Sequence, residues 1–112
     1  MKVDIGQRTF NFSLKIIQLV RNMPKTYIAN IISRQILRSG TSIGANTEEA
    51  LGGYTRADFF HSINIAKKEA RETKYWLKLI LESKIQDTDL VKELLQECDE
   101  LVAILTSITK KK

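Results

Sequence analysis

The chain has 112 residues, 43% of them hydrophobic and 28% charged, which excludes a disordered polar chain; its single proline and five glycines exclude a loop-rich all-β fold. The formal net charge is +5, and a count of one cysteine and one histidine excludes an intrachain disulfide and a Cys/His zinc site. The longest apolar runs are a few residues, so no segment reads as spanning a membrane. MKVDIGQRTF has no apolar signal core, which gives the expectation of a cytoplasmic protein.

The first predicted helix covers about residues 9–22. Phe10, Leu14, Ile17 and Val20 form its expected inward stripe, and Phe12, Ile16, Leu19 and Met23 widen the apolar face. Pro24 interrupts the chain, and a second helix is predicted over about 25–51. Ser39–Gly44 reads as a loop by composition, because Ser, Thr and Gly are poor helix residues. Periodicity favours a helix: Ile36, Gly40, Ile43, Thr47 and Ala50 keep alternating steps of four and three residues across the segment. Gly40 and Gly44 then share a face on which another backbone can come close. Gly52-Gly53 ends the helix with residues that tolerate positive φ.

The third helix is predicted over 56–83, with Thr55 as its N-cap and a seam of Phe59, Ile63, Ala66, Ala70, Thr73, Leu77 and Ile80. The fourth covers 88–109, capped by Asp87 or Thr88, with Val91, Leu94, Cys98, Leu101, Leu105 and Ile108 facing inward. Lys110–Lys112 forms a basic tail. Helices joined by connections this short lie antiparallel to their neighbours, so the 112 residues read as one all-α domain, an antiparallel up-down-up-down four-helix bundle. The long second and third helices are expected to leave apolar surface uncovered, which points to an oligomer.

The chemistry of an enzyme is missing. Cys98 sits on an apolar seam as a small buried hydrophobe, and His61 lies beside a seam without a nucleophile. Glu69 and Glu72 lack the histidine that a carboxylate metal site in a bundle needs, and no glycine spacing matches a phosphate cradle. Neither a catalytic residue, nor a metal, nor another cofactor is expected.

Charge is unevenly spread. Residues 1–47 carry Lys2, Arg8, Lys15, Arg21, Lys25, Arg34 and Arg38 against Asp4, whereas residues 87–109 carry six acids against Lys92. The basic and acidic surfaces meet different partners, meet each other across a subunit interface, or simply keep the helices soluble. Arg34 and Arg38 lie one turn apart and are the candidate nucleic-acid-binding pair. Phe59, Phe60 and Trp76 belong to or border the core, so base stacking is expected to contribute little. Arg38, Asn46, Glu49 and Glu72 occupy the middle of the two longest helices, where charges persist only if paired; Asn46, Glu49 and Glu72 are candidate structural or interface residues.

The run Gln35-Ile36-Leu37-Arg38-Ser39-Gly40-Thr41-Ser42-Ile43-Gly44-Ala45-Asn46-Thr47-Glu48-Glu49-Ala50 resembles the central signature of bacterial four-helix-bundle proteins encoded by intervening sequences in 23S ribosomal RNA genes. Ala66-Lys67-Lys68-Glu69-Ala70-Arg71-Glu72-Thr73-Lys74-Tyr75-Trp76-Leu77 is similar to that family's second signature. Arg38, Asn46 and Glu49 match the first signature and Glu72 the second, while Gly44 and Ala50 replace a proline and a glycine common in the family. The resemblance implies an up-down bundle and a homopentamer. The related accessory protein of diversity-generating retroelements is similar in fold and works with a reverse transcriptase and nucleic acid. The resulting expectation is a non-enzymatic oligomeric module that binds nucleic acid or a nucleoprotein partner through a basic surface; the alternative is a structural or protein-interaction module without nucleic acid.

Overall fold

In the computed structural model, which describes residues 4–111, each of four helices begins at a side-chain oxygen. Asp4, Thr26, Thr55 and Thr88 take extended backbone angles and accept hydrogen bonds from the amides of Gln7, Ala29, Asp58 and Val91. The helices that follow are α1 (Ile5–Arg21), α2 (Tyr27–Leu51), α3 (Arg56–Glu82) and α4 (Asp89–Thr109). α1 starts four residues before the expected Thr9, because Asp4 caps it and Thr9 is a buried residue of its second turn. α2 starts at Tyr27 rather than Lys25, because Thr26 takes the cap.

The segment Ser39–Gly44 is helical, as its phase requires. Its hydroxyls find partners inside the helix: Thr41 donates to the Leu37 carbonyl at 2.7 Å and Ser42 to the Arg38 carbonyl at 2.6 Å. No positive-φ residue ends α2; Gly52 caps it at φ −92°, and no described glycine has positive φ. The left-handed position falls instead after α3, at Lys84 (φ 60°). There the Ile85 amide donates to the Ile80 carbonyl and the Lys84 amide to the Leu81 carbonyl, a Schellman closure built without glycine.

α1–α2, α2–α3 and α3–α4 pack as sequential antiparallel neighbours; α1 and α4 touch more lightly and the diagonal pairs do not meet. The seams of α3 and α4 are as expected, with two differences: Phe60 is buried and Phe59 half-buried, and Ile108 is half-buried. α1 is turned relative to expectation. Its core face is Thr9, Phe12, Ile16, Leu19 and Met23, whereas Phe10 and Leu14 face solvent and Ile17 and Val20 lie at the boundary. Each fully buried Leu, Ile or Phe contributes about 1.5–3 kcal/mol by leaving water.

Two glycines explain which face of α1 turns inward. A Cβ on Gly40 would lie 2.8 Å from Ile16 Cγ1 and 3.0 Å from its Cγ2, so Ile16 fills the notch in α2. A Cβ on Gly44 would lie 3.1 Å from the Thr9 carbonyl oxygen, which is the close backbone approach the glycine spacing predicts. The α2–α3 seam carries one fully buried polar link, a 2.9 Å hydrogen bond shared by the Ser39 and Thr73 hydroxyls. It ties the register of the two longest helices at their middle.

Candidate nucleic-acid interface

The basic and acidic halves of the sequence meet within one chain. Arg8 on α1 reaches Glu97 through two nitrogens and Glu100 at 3.1 Å, and Lys15 pairs with Glu93; all three acids are on α4. These pairs close the side of the bundle where α1 and α4 touch least. Much of the charge asymmetry is therefore an internal clamp. Lys74 pairs with Asp99 at 2.7 Å, joining α3 to α4 in the same way.

Arg38 is also committed. Its guanidinium bridges from α2 to two carboxylates of α3, Glu69 at 2.8 Å and Glu72. Glu72 additionally accepts from Trp76 Nε1 at 3.0 Å. Of the two pairings such mid-helix charges allow, between helices or between subunits, the bond of Arg38 to Glu72 is one between helices; Glu69, 8% exposed, is the residue that sequence reading assigned no such role. Its signal was its place one residue before the seam position Ala70, on the side facing α2. The Trp76 hydrogen bond, helped by Arg38 and Lys68 against some desolvation, holds the Glu72 carboxyl below its ordinary value of 4.5. A pKa lower in the folded state gives stability that is present above that ordinary value and lost as pH falls through the folded one. Acid titration followed by fluorescence of Trp76, the chain's one tryptophan, should therefore show a transition below pH 4.5 that Glu72→Gln removes.

Asn46 and Glu49 stay local. Asn46 donates to the Ser42 carbonyl one turn earlier at 2.8 Å, and Glu49 is exposed without an ion pair among the described residues. Both line a depression of about 350 Å3 with Tyr54, Asp58 and His61 at one end of α2–α3. Cys98 is fully buried, its Sγ 3.2 Å from the Ala70 carbonyl oxygen, and burial pushes its thiol up to about 12. Among the described residues no three His, Cys, Asp or Glu side chains gather as metal ligands. No described helix is long and apolar enough to cross a membrane.

Other cations take no ion pair among the described residues, Arg34 and three on α3 among them. Arg34 is exposed on α2 with no ion pair among the described residues, one turn from the occupied Arg38. On α3, Lys68, Arg71 and Lys78 are exposed at successive turns of one face, also without ion pairs. Tyr75 stands in the same stripe, 58% exposed, an aromatic ring that the sequence reading, weighing Phe59, Phe60 and Trp76, did not consider. In the predicted basic tail, Lys110 caps α4 and the Lys111 carbonyl accepts from Arg56 at 2.8 Å, while Lys112 lies outside the described residues, as does Lys2.

Apolar surface is also uncovered on α1 and at the start of α2. Phe10 (60% exposed) and Leu14 (52%) rim the side of α1 next to α2, where a groove of about 510 Å3 is lined by Phe10, Ser13, Thr41, Gly44, Ala45 and Glu48 among others. Tyr27, Ile28 and Ile31 are exposed at the start of α2.

Comparison with known proteins places this geometry in a family. A family model described as 23S rRNA-intervening sequence protein matches residues 1–107. The crystal structure of a protein of unknown function from the S23 ribosomal protein family of Bacteroides thetaiotaomicron VPI-5482 superposes with a TM-score of 0.86. The two share 38% sequence identity over 95% of this chain and 98% of that one. No curated protein matches the chain.

Proposed function

The chain belongs to the family of 23S rRNA-intervening sequence proteins, and from that premise we propose that it is a non-enzymatic, cytoplasmic module that self-associates and binds nucleic acid through a basic surface. The observation that carries the reading is the division of its cations. Arg8, Lys15, Arg38 and Lys74 are neutralised by carboxylates of neighbouring helices, whereas Arg34, Lys68, Arg71 and Lys78 remain exposed and unpaired among the described residues. Cations held away from carboxylates attract phosphates, and binding of this kind is weakly sequence-specific and falls steeply with salt. Of the two arginines singled out in the sequence, Arg34 is available as it stands; Arg38 reaches a phosphate only by leaving Glu69 and Glu72. The resemblance to the accessory protein of diversity-generating retroelements supports the same reading.

Self-association rests on the uncovered faces of α1 and α2. A homopentamer is the assembly that the resemblance favours, and a ring would repeat the unpaired cations around its axis, turning a weak patch into a strong field. The exposed Phe10–Leu14 face gives the second reading its footing: a protein-interaction module whose charges serve only its own helices. Copurification from the native host at low salt, with sequencing of bound nucleic acid and mass spectrometry of bound protein, separates the two. Nuclease-sensitive RNA or DNA in the eluate is the expected result. A stoichiometric protein partner with no nucleic acid contradicts it.

A further inference from the structure

Tyr75 is an aromatic ring in an unusual setting, exposed on the outside of a helix yet held by its neighbour. Trp76 packs against it in a T-shaped pair, with ring centroids 5.1 Å apart and planes at 75°. Trp76 is fixed in turn, because its Nε1 donates to Glu72 and Glu72 is held by Arg38. A chain of contacts thus runs from α2 through the α2–α3 seam to the Tyr75 ring. The residues that resemble a family signature, Arg38 and Glu72, end in a buttress for one exposed aromatic side chain.

The surroundings of that ring are cationic. Lys78 follows Tyr75 by three residues and Arg71 precedes it by four, with Lys68 one turn further back; all are exposed. From Lys68 to Lys78 the stripe spans about 15 Å of helix axis. Beside the ring is a shallow depression of about 220 Å3, lined by Tyr75, Lys78, Leu79 and Glu82. Its lining is mostly carbon and includes one acid, Glu82.

We infer that the outer face of α3 is a binding site for single-stranded nucleic acid, in which an unpaired base stacks on Tyr75 while Lys68, Arg71 and Lys78 hold the flanking phosphates. This deepens the nucleic-acid reading above and rests on it. The ring decides for a single strand over a duplex: a duplex offers its phosphates to the lysines but keeps its base faces stacked inside, so the held aromatic face would go unused. The carbon-lined depression decides for a base over an acidic peptide, because a flat unpaired base covers that surface. Every base has such a face, so sequence preference at Tyr75 is weak.

The test is fluorescence anisotropy of a labelled single-stranded RNA and of its duplex at about 50 and 200 mM salt. It is run on the wild type and on Tyr75→Ala, Tyr75→Phe, Lys78→Glu and Arg71→Glu, each first shown to melt like the wild type. Wild type should prefer the single strand. Tyr75→Ala should weaken single-strand binding about tenfold without altering its salt slope, and Tyr75→Phe should restore it. Lys78→Glu and Arg71→Glu should each flatten the slope of log affinity against log salt by about 0.7. Equal affinity for duplex and single strand, or full binding by Tyr75→Ala, overturns this site while leaving a basic nucleic-acid surface elsewhere on the bundle. A change in solution mass on Tyr75→Ala overturns it in favour of a subunit contact. Absence of wild-type binding at low salt removes the nucleic-acid reading itself.

Discussion

Gly40→Leu should cost about 3 kcal/mol and lower the melting temperature by roughly 12 °C or more. Glycine inside a helix is ordinarily a weakness, and replacing it with a better helix former gains up to about 1 kcal/mol. Here the sign reverses. The first carbon of any side chain at position 40 would sit 2.8–3.1 Å from Ile16. Ile16 cannot give way easily, since it is fully buried, β-branched and restricted in χ1. Even Gly40→Ala should therefore melt below the wild type, and leucine, which must push α1 off α2, should melt lower still. Unchanged melting of both variants by circular dichroism would show that Ile16 does not fill the notch.

Phe10→Glu should convert the protein in solution to the mass of one 12.8 kDa chain, with little change in its melting curve. Phe10 is 60% exposed in the isolated bundle and contributes little to the core, so a charge there does not unfold the helix. In an assembly the same side chain would be covered, and burying an unpaired carboxylate costs several kcal/mol, enough to dissociate subunits at micromolar concentration. Light scattering of the wild type should then give a multiple of the single-chain mass, with five copies the first expectation. A wild-type mass of one chain would defeat self-association through this face.

How much of this was readable in advance depended on contrast. On α4 the apolar positions Val91, Leu94, Cys98, Leu101 and Leu105 stand among acids, so one face is apolar and its burial follows. On α1 there is no such contrast. Phe10, Phe12, Leu14, Ile16, Ile17, Leu19 and Val20 cover more than one face, and two stripes compete for the core. The choice is made by the notch at Gly40 and Gly44 on another helix, a tertiary fact that no window on α1 contains. Helix starts follow the same rule. Thr55 was legible because a polar cap precedes a clean seam, whereas Asp4 stands before Ile5-Gly6-Gln7, which carries no seam of its own.

The site was less legible than the fold for a similar reason. Net charge by segment shows that Arg8 and Lys15 are basic and Glu93 and Glu97 acidic, but only the antiparallel return of α4 beside α1 pairs them. Arg38 was legible as a polar residue in need of a partner; that Glu69 and Glu72 both supply one depends on the α2–α3 register, which the Ser39–Thr73 hydrogen bond ties. Lys68, Arg71 and Lys78 were overlooked because the basic excess of α3 is small beside that of residues 1–47. It is concentrated outside once Glu69 and Glu72 are turned toward Arg38 of α2.

The most direct test of the account is a titration of labelled RNA and DNA with wild type and Arg34→Ala at two salt concentrations. Binding should be detectable at low salt, weaken by orders of magnitude between about 50 and 200 mM for several phosphate contacts, and show little preference between sequences. Arg34→Ala should weaken it and flatten the salt dependence. Tight binding indifferent to salt, or no binding at low salt, would contradict a phosphate-driven surface and leave the protein-interaction reading in its place.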